Sequence, residues 1–254
     1  MIDVSMRTET FTLNASSEVL VQRPWSTESN SVVLCLPGDS PSGWSSKTWV
    51  SLGERFLSAG IAVASLKYPR LTVEGVDLCP LNQSADAWEN LWRLLNELGF
   101  SSKRFVVASS FGAAVLLERP EFFEKIETVC LKSPAVDLLP AYLGDFRYEE
   151  MRRWAQSGDK SPAGEAFTAL LKAKGYESAV SLDAPTFVLH GTSDEIVPFS
   201  QAELFCAIAP NSQLIPIHDA DHRLSAEADW EMVVSEITRL ILKSENKSPS
   251  TYKE

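Results

Sequence analysis

Three residues in this 254-residue chain carry side chains suited to nucleophilic catalysis and stand in a usable order: Ser110, Asp194 and His222. Ser110 lies within Ala108-Ser109-Ser110-Phe111-Gly112, where the apolar run RFVVAS (104–109) turns directly into the helix-forming stretch AAVLL. A nucleophile held on such a strand–turn–helix corner follows the pattern G-x-S-x-G, because the chain doubles back tightly and only small residues fit two positions either side. Ala108 and Gly112 are both small, so Ala in the first place departs from the pattern but keeps its steric logic. Were Ser109 the nucleophile, Phe111 would occupy a position that needs a small residue. A serine at the head of a helix can also be a simple cap, so the assignment depends on partners.

A serine hydroxyl attacks poorly until a base takes its proton, and the base is usually a histidine oriented by a carboxylate. The chain has three histidines, His190, His218 and His222, all after Ser110. His222 stands in IHDADHRLS, on a loop between an apolar run and a helical pattern, where it is free to aim across the site. His218 is the rival, at the end of the run itself, where a structural histidine is expected. For the carboxylate, HGTSDEIVP offers Asp194, four residues past a strand end. Glu195 competes, but Ile196-Val197-Pro198 directly after it reads as a return to the core, and Asp194 could equally be a turn former. Nucleophile, acid and base in that chain order, each just past a strand, are what a parallel α/β sheet with such a corner requires.

The elements that must position these residues are legible as alternation. SVVLCLPG (31–38), IAVASLKYP (61–69), RFVVAS (104–109), IETVCLKSP (126–134), PTFVLHG (185–191) and SQLIPIHD (212–219) are short, mostly continuous apolar runs closed by turn residues. Continuous runs suit strands covered on both faces, as in a parallel sheet. Helical patterns lie between them. In 84–98, Trp88, Leu91, Trp92 and Leu95 fall on one face, with Ser84 as N-cap and Gly99 as the stop. In 227–242, Trp230, Val233, Val234, Ile237, Leu240 and Ile241 form a stripe. The tryptophans read as core. Residues up to about Pro24 read as two antiparallel edge strands. The expected class is therefore α/β, a mostly parallel central sheet flanked by helices. Residues 1–243 form a single domain, and 244–254 form a polar, flexible tail. Residues 135–183 break the rhythm with helical patterns near 147–156 and 163–174 and no strand. They read as a small helical cap inserted over the sheet, which would shape a pocket.

Composition narrows the partners. The chain is 44% hydrophobic, enough for one sizeable core, and its formal net charge of −11 disfavours nucleic acid and anionic membrane. No run approaches the ~20 apolar residues of a membrane span, and the first residues lack a signal peptide's apolar segment. Cys35, Cys79, Cys130 and Cys206 show no CxxC spacing and read as reduced thiols, which points to the cytoplasm. No metal-ligand spacing is evident.

With these residues in view, the chain resembles the α/β-hydrolase superfamily over about residues 8–243. HGTSDEIVP is similar to the family's acid loop and DADHRLS to its histidine loop. Within the superfamily it is most similar to small bacterial esterases and serine-aminopeptidase-like hydrolases with a modest cap. The resemblance implies a Ser110–Asp194–His222 triad acting on a small-molecule ester or acyl substrate through an acyl-enzyme, with no cofactor. It also implies two oxyanion donors: the N–H of Phe111, after the nucleophile, and an N–H from the loop after VVLCL, by position that of Asp39. Many relatives have His-Gly where this chain has Pro37-Gly38-Asp39. Many also have a Gly-His-Gly segment where it has KYPRLTVEGVDLCP. Here Tyr68 and Arg70 are placed near substrate, or Arg70 on the solvated surface. A thioesterase or acyl transferase would use the same residues. A peptidase for short peptides would need a charge site, for which Asp145, Glu149 and Glu150 are candidates. A hydrolase fold kept only for binding is the alternative of another class. The sequence specifies no oligomeric state.

Overall fold

The computed structural model describes residues 6–14, 16–24, 30–40, 45–73, 76–100, 102–138, 153, 160, 162–173 and 175–247. Its strands are β1 (Met6–Asn14), β2 (Ser17–Pro24), β3 (Val32–Leu36), β4 (Ala62–Lys67), β5 (Leu71–Val73), β6 (Val76–Leu78), β7 (Arg104–Ser109), β8 (Thr128–Lys132), β9 (Thr186–Gly191) and β10 (Ser212–Ile217). Its helices are α1 (Lys47–Ser58), α2 (Leu81–Glu97), α3 (Phe111–Leu117), α4 (Pro162–Lys172), α5 (Gly175–Ala179), α6 (Phe199–Ile208) and α7 (Glu227–Glu245), with a 3-10 turn at Pro120–Lys125.

Eight strands form one sheet in the order β1-β2-β4-β3-β7-β8-β9-β10. The first two are the expected antiparallel pair at one edge, and from β4 to β10 all neighbours run parallel. The continuous apolar runs are explained by burial on both faces. In β3, Val32, Leu34 and Leu36 face a layer that includes Trp88, Leu91 and Leu95 of α2 and the side chains of α3. Val33 and Cys35 face Trp49, Leu52 and Phe56 of α1 and Trp230, Val233 and Ile237 of α7. Trp88 and Trp92 are core residues, as expected, and all six residues of the α7 stripe are buried.

Some boundaries differ from the sequence reading. α2 begins at Leu81 with Pro80 in the cap position, three residues ahead of Ser84. Ser84 is thus no N-cap: its hydroxyl is buried inside the helix without a hydrogen-bond partner among the described residues. Proline supplies the entry because a helix's first turn needs no N–H from it. β5 and β6 form a two-stranded hairpin that the apolar pattern did not reveal, its strands being three residues each. α7 runs to Glu245, and Lys103 holds the main-chain carbonyls of Ser244 (3.2 Å) and Lys247 (2.8 Å). Of the helical patterns in 135–183, the second becomes α4. The first, near 147–156, lies outside the described residues apart from Arg153, as does the acidic group at 145–150. α4 packs on α2, and α5 packs on α3 and α6. Gln201 of α6 anchors the start of this region, accepting from the N–H of Val136 (2.9 Å) and Asp137 (3.0 Å). Among the described residues, no helix is long and apolar enough to cross a membrane.

Candidate active site

The carboxyl ends of β3, β7, β8, β9 and β10 meet at one edge of the sheet, and Ser110, Asp194 and His222 follow three of them. β7 ends at Ser109 and α3 starts at Phe111, which leaves Ser110 alone on the corner with φ 50° and ψ −119°. That left-handed backbone is unfavourable for any residue with a Cβ, by roughly 1–3 kcal/mol. It is held by the main chain around it. Ser110 N–H donates to the Lys132 carbonyl (2.9 Å), and its own carbonyl accepts from Ala113 (3.0 Å) and Ala135 (3.1 Å). Gly112 is obligatory for steric reasons: a Cβ there would lie 2.1 Å from the Leu36 carbonyl oxygen of β3.

His222 Nε2 lies 3.2 Å from Ser110 Oγ, and its Nδ1 lies 2.8 Å from Asp194 Oδ2. Asp194 Oδ1 accepts from the N–H of Ile196 (2.9 Å) and Val197 (2.8 Å), which fixes the plane of the carboxylate. Burial pushes this carboxyl's pKa up. Hydrogen bonds from His190 and His222, the His222 charge and the Val197 N–H together outweigh burial and hold it well below the usual carboxylate range. The group is therefore an anion that can keep a proton on His222 Nδ1 and leave Nε2 as an acceptor. Glu195, the competitor, is exposed, and so is His218, which stands one residue beyond β10 rather than serving as a satisfied histidine within it. The two loops bearing acid and base cross closely at Gly191, where a Cβ would come within 2.2 Å of the Ala220 carbonyl oxygen.

His190, near the end of β9, also touches this constellation. It is fully buried, and its Nε2 lies 3.0 Å from both Asp194 Oδ2 and the Val197 carbonyl. Its ring meets Phe199 edge-on. A polar ring ending an otherwise apolar strand was the available signal.

The loop after β3 lies against the nucleophile. A Cβ on Gly38 would sit 3.3 Å from Ser110 Cβ. Asp39 follows, and its carboxylate is turned into an ion-paired cluster: Arg70 Nη1 donates to Asp39 Oδ1 (3.1 Å) and to Cys79 Sγ (3.1 Å), while Arg70 Nε bonds Asp77 (2.9 Å). Arg70 is thus not a solvated surface residue. Its side chain is 23% exposed, and that of Asp39 only 7%. The β5–β6 hairpin, unseen in the sequence, is what carries Asp77 back to Arg70. Burial lowers the Arg70 pKa, but the bond to Asp77 and the nearby anions raise it further, so it stays charged. Tyr68 is buried with its ring edge-on to Phe111 at 5.5 Å. Phe111 opens α3, so its N–H has no intrahelical acceptor.

Among the described residues, backbone strain concentrates here. The four non-glycine residues with positive φ are Ser110, Ser133 after β8, and Asp219 and Leu224 in the loop that carries His222. Among the same residues, no group of three or more His, Cys, Asp or Glu is arranged to hold a metal ion.

No protein-family model and no curated protein sequence matches the chain. Solved structures do. Est1E from Butyrivibrio proteoclasticus superposes with a TM-score of 0.75 at 15% identity, covering 94% of this chain and 99% of its own. An esterase from Pyrococcus furiosus gives 0.66 at 16%, over 94% and 91%. The mouse alpha/beta hydrolase domain-containing protein 10 gives 0.63 at 19%, over 93% and 99%. Matches of nearly full length, joined to the strand order and the corner after β7, identify the architecture: this chain has the α/β-hydrolase fold.

Proposed function

We propose that this protein is a serine hydrolase that cleaves a small carboxylic ester through an acyl-enzyme. The observation that carries the reading is the continuous hydrogen-bonded line from Ser110 Oγ through His222 to the anionic Asp194, set on a strained corner. In this mechanism Ser110 Oγ attacks the ester carbonyl as His222 Nε2 takes its proton. Asp194 Oδ2 retains the Nδ1 proton and stabilises the imidazolium. The N–H groups of Phe111 and Asp39 receive the developing oxyanion, each such donor being worth roughly 3 kcal/mol. Two features support that pair: the unclaimed helical position of Phe111 and the contact of Gly38 with Ser110. The Arg70 ion pair keeps the Asp39 carboxylate from opposing the new charge. The tetrahedral intermediate expels an alcohol, which receives its proton from His222. Water then attacks the acyl group with His222 as base.

That two structural neighbours are described as esterases supports ester chemistry over other acyl substrates. We further propose that residues 135–183 shape the acyl pocket. The acidic charge supports a small-molecule substrate rather than nucleic acid or membrane. The unpaired cysteines, three of them buried, support a cytoplasmic setting. The test is labelling by a fluorophosphonate, which modifies only an activated serine, followed by a chain-length series of p-nitrophenyl esters. Labelling is expected in the wild type and in Ser109→Ala, and lost in Ser110→Ala. An unlabelled wild type, or a labelled Ser110→Ala, overturns the proposal.

A further inference from the structure

Within the sheet, one charged side chain is buried beside the site and plays no part in the chemistry above. Lys132 ends β8, an otherwise apolar strand, and is only 8% exposed. Its Nζ donates to the main-chain carbonyl of His222 at 3.2 Å. Ser133, next in the chain and strained at φ 45°, points its hydroxyl at the same carbonyl (3.4 Å). The main chain of this corner reaches the other two partners. The Lys132 carbonyl accepts from Ser110 N–H (2.9 Å), and Ser133 N–H donates to Leu189 (2.9 Å), on the strand that leads to Asp194.

We propose that Lys132 is a positioning residue for the base: by gripping the His222 carbonyl, it fixes the loop so that Nε2 stays over Ser110 Oγ. A buried lysine is otherwise hard to account for. Taking an ammonium out of water is costly unless it is paired, and Lys132 forms no salt bridge among the described residues. Its hydrogen bond is to the residue whose placement matters most for proton transfer, and a misplacement near 1 Å can slow such a reaction about a hundredfold. The inference rests on the Ser110–His222–Asp194 reading.

The grip is also sensitive to pH. Burial lowers the Lys132 pKa to about 8, while Asp194, from the loop after β9, and Asp221, beside His222, act to raise it. Its register partners, Ser109 on β7 and Leu189 on β9, bring no charge. Above that pH the amine still donates, but without its charge, and charge-assisted hydrogen bonds are about twice as strong as neutral ones. Activity should therefore step down, without vanishing, as Lys132 loses its proton.

The experiment measures fluorophosphonate labelling rates, and kcat and KM on a p-nitrophenyl ester, from about pH 6 to about pH 10. Wild type, Lys132→Met and Asp221→Asn are compared, each checked by thermal unfolding. Wild type is expected to show a several-fold fall centred near pH 8. Lys132→Met keeps the length and removes the charge. It should label about tenfold more slowly at neutral pH, with kcat rather than KM affected and the alkaline step gone. Asp221 is half-buried, and asparagine keeps the Oδ1 acceptor for Ser225 N–H (2.8 Å). That variant loses a charge that holds the Lys132 proton, so its step should move to lower pH. If Lys132→Met does not fold, the Asp221→Asn shift decides alone. Wild-type rates and profile in Lys132→Met, or an unmoved step in Asp221→Asn, overturn the proposal. A wild type unlabelled at every pH sinks the triad reading and this inference with it, and is told apart by that blank result.

Discussion

Replacing Asp194 by asparagine removes one charge and leaves the shape unchanged, and the structure specifies why that is severe. Oδ1 accepts two N–H groups, from Ile196 and Val197, and Oδ2 faces two more, from His222 and His190. An amide has one acceptor oxygen. Whichever way the new amide is turned, its NH2 group meets two donors. If it faces the histidines, His222 can adapt by moving its proton to Nε2. That nitrogen then cannot take the proton of Ser110. His190 keeps its Nε2 proton on the Val197 carbonyl (3.0 Å), which leaves the amide N–H that faces it without an acceptor. The wrong tautomer alone costs about 10⁴ in rate in serine enzymes built this way, or roughly 5.5 kcal/mol of barrier. One buried donor left unsatisfied adds about 1–3 kcal/mol of instability, a fall in Tm of roughly 2–12 °C for a domain of this size. The assay is the second-order rate of fluorophosphonate labelling, with Glu195→Gln as control and a thermal scan of both. Asp194→Asn is expected to label at least a thousandfold more slowly, and Glu195→Gln to match the wild type. An Asp194→Asn rate within tenfold of wild type, or a large loss in Glu195→Gln, would refute the assignment.

Gly112→Ala drives a methyl into the Leu36 carbonyl, so β3 and α3 must part. We expect a loss of about 3 kcal/mol or more, near the upper range for overpacking, read as a drop in Tm, together with slow labelling. Arg70→Met removes the cation facing the nearly buried Asp39. It should destabilise the fold by about 1–3 kcal/mol, less than for a fully buried pair because Arg70 is partly exposed. It should also lower kcat on p-nitrophenyl esters, with Arg70→Lys intermediate. The depressed pKa of Asp194 stabilises the fold at pH values above the unfolded value of about 4. That contribution is lost as pH falls toward the folded value. Wild-type Tm should therefore fall more steeply with acidification than that of Asp194→Asn.

The strands and the three candidate reacting residues were legible because each obeys a local rule. Runs such as VVLCL are apolar at every position since both faces are covered, and Ala108 and Gly112 are small because the corner admits nothing larger. What escaped depends on contacts distant in sequence. Arg70 looked like surface because its partners, Asp39 and Asp77, are brought to it by a loop after another strand and by a hairpin of three-residue strands. Ser84 looked like a cap because no local rule announces that Pro80 has already opened the helix. His190 and Lys132 carried a faint signal, each a polar residue ending an apolar strand. Their partners, the Asp194 carboxylate and the His222 carbonyl, become visible only once the loops are placed.

The four strained residues have a consequence for how this protein can change. Each of Ser110, Ser133, Asp219 and Leu224 adopts a backbone that glycine would take more easily. Together they hold several kilocalories per mole in reserve, at roughly 1–3 kcal/mol each. Selection for heat tolerance alone would be drawn to these positions, and at Ser110 the relief would erase the hydroxyl that the corner exists to present. A gain in sturdiness taken at that corner would therefore cost the proposed activity, whereas relief at the other three positions leaves the hydroxyl in place.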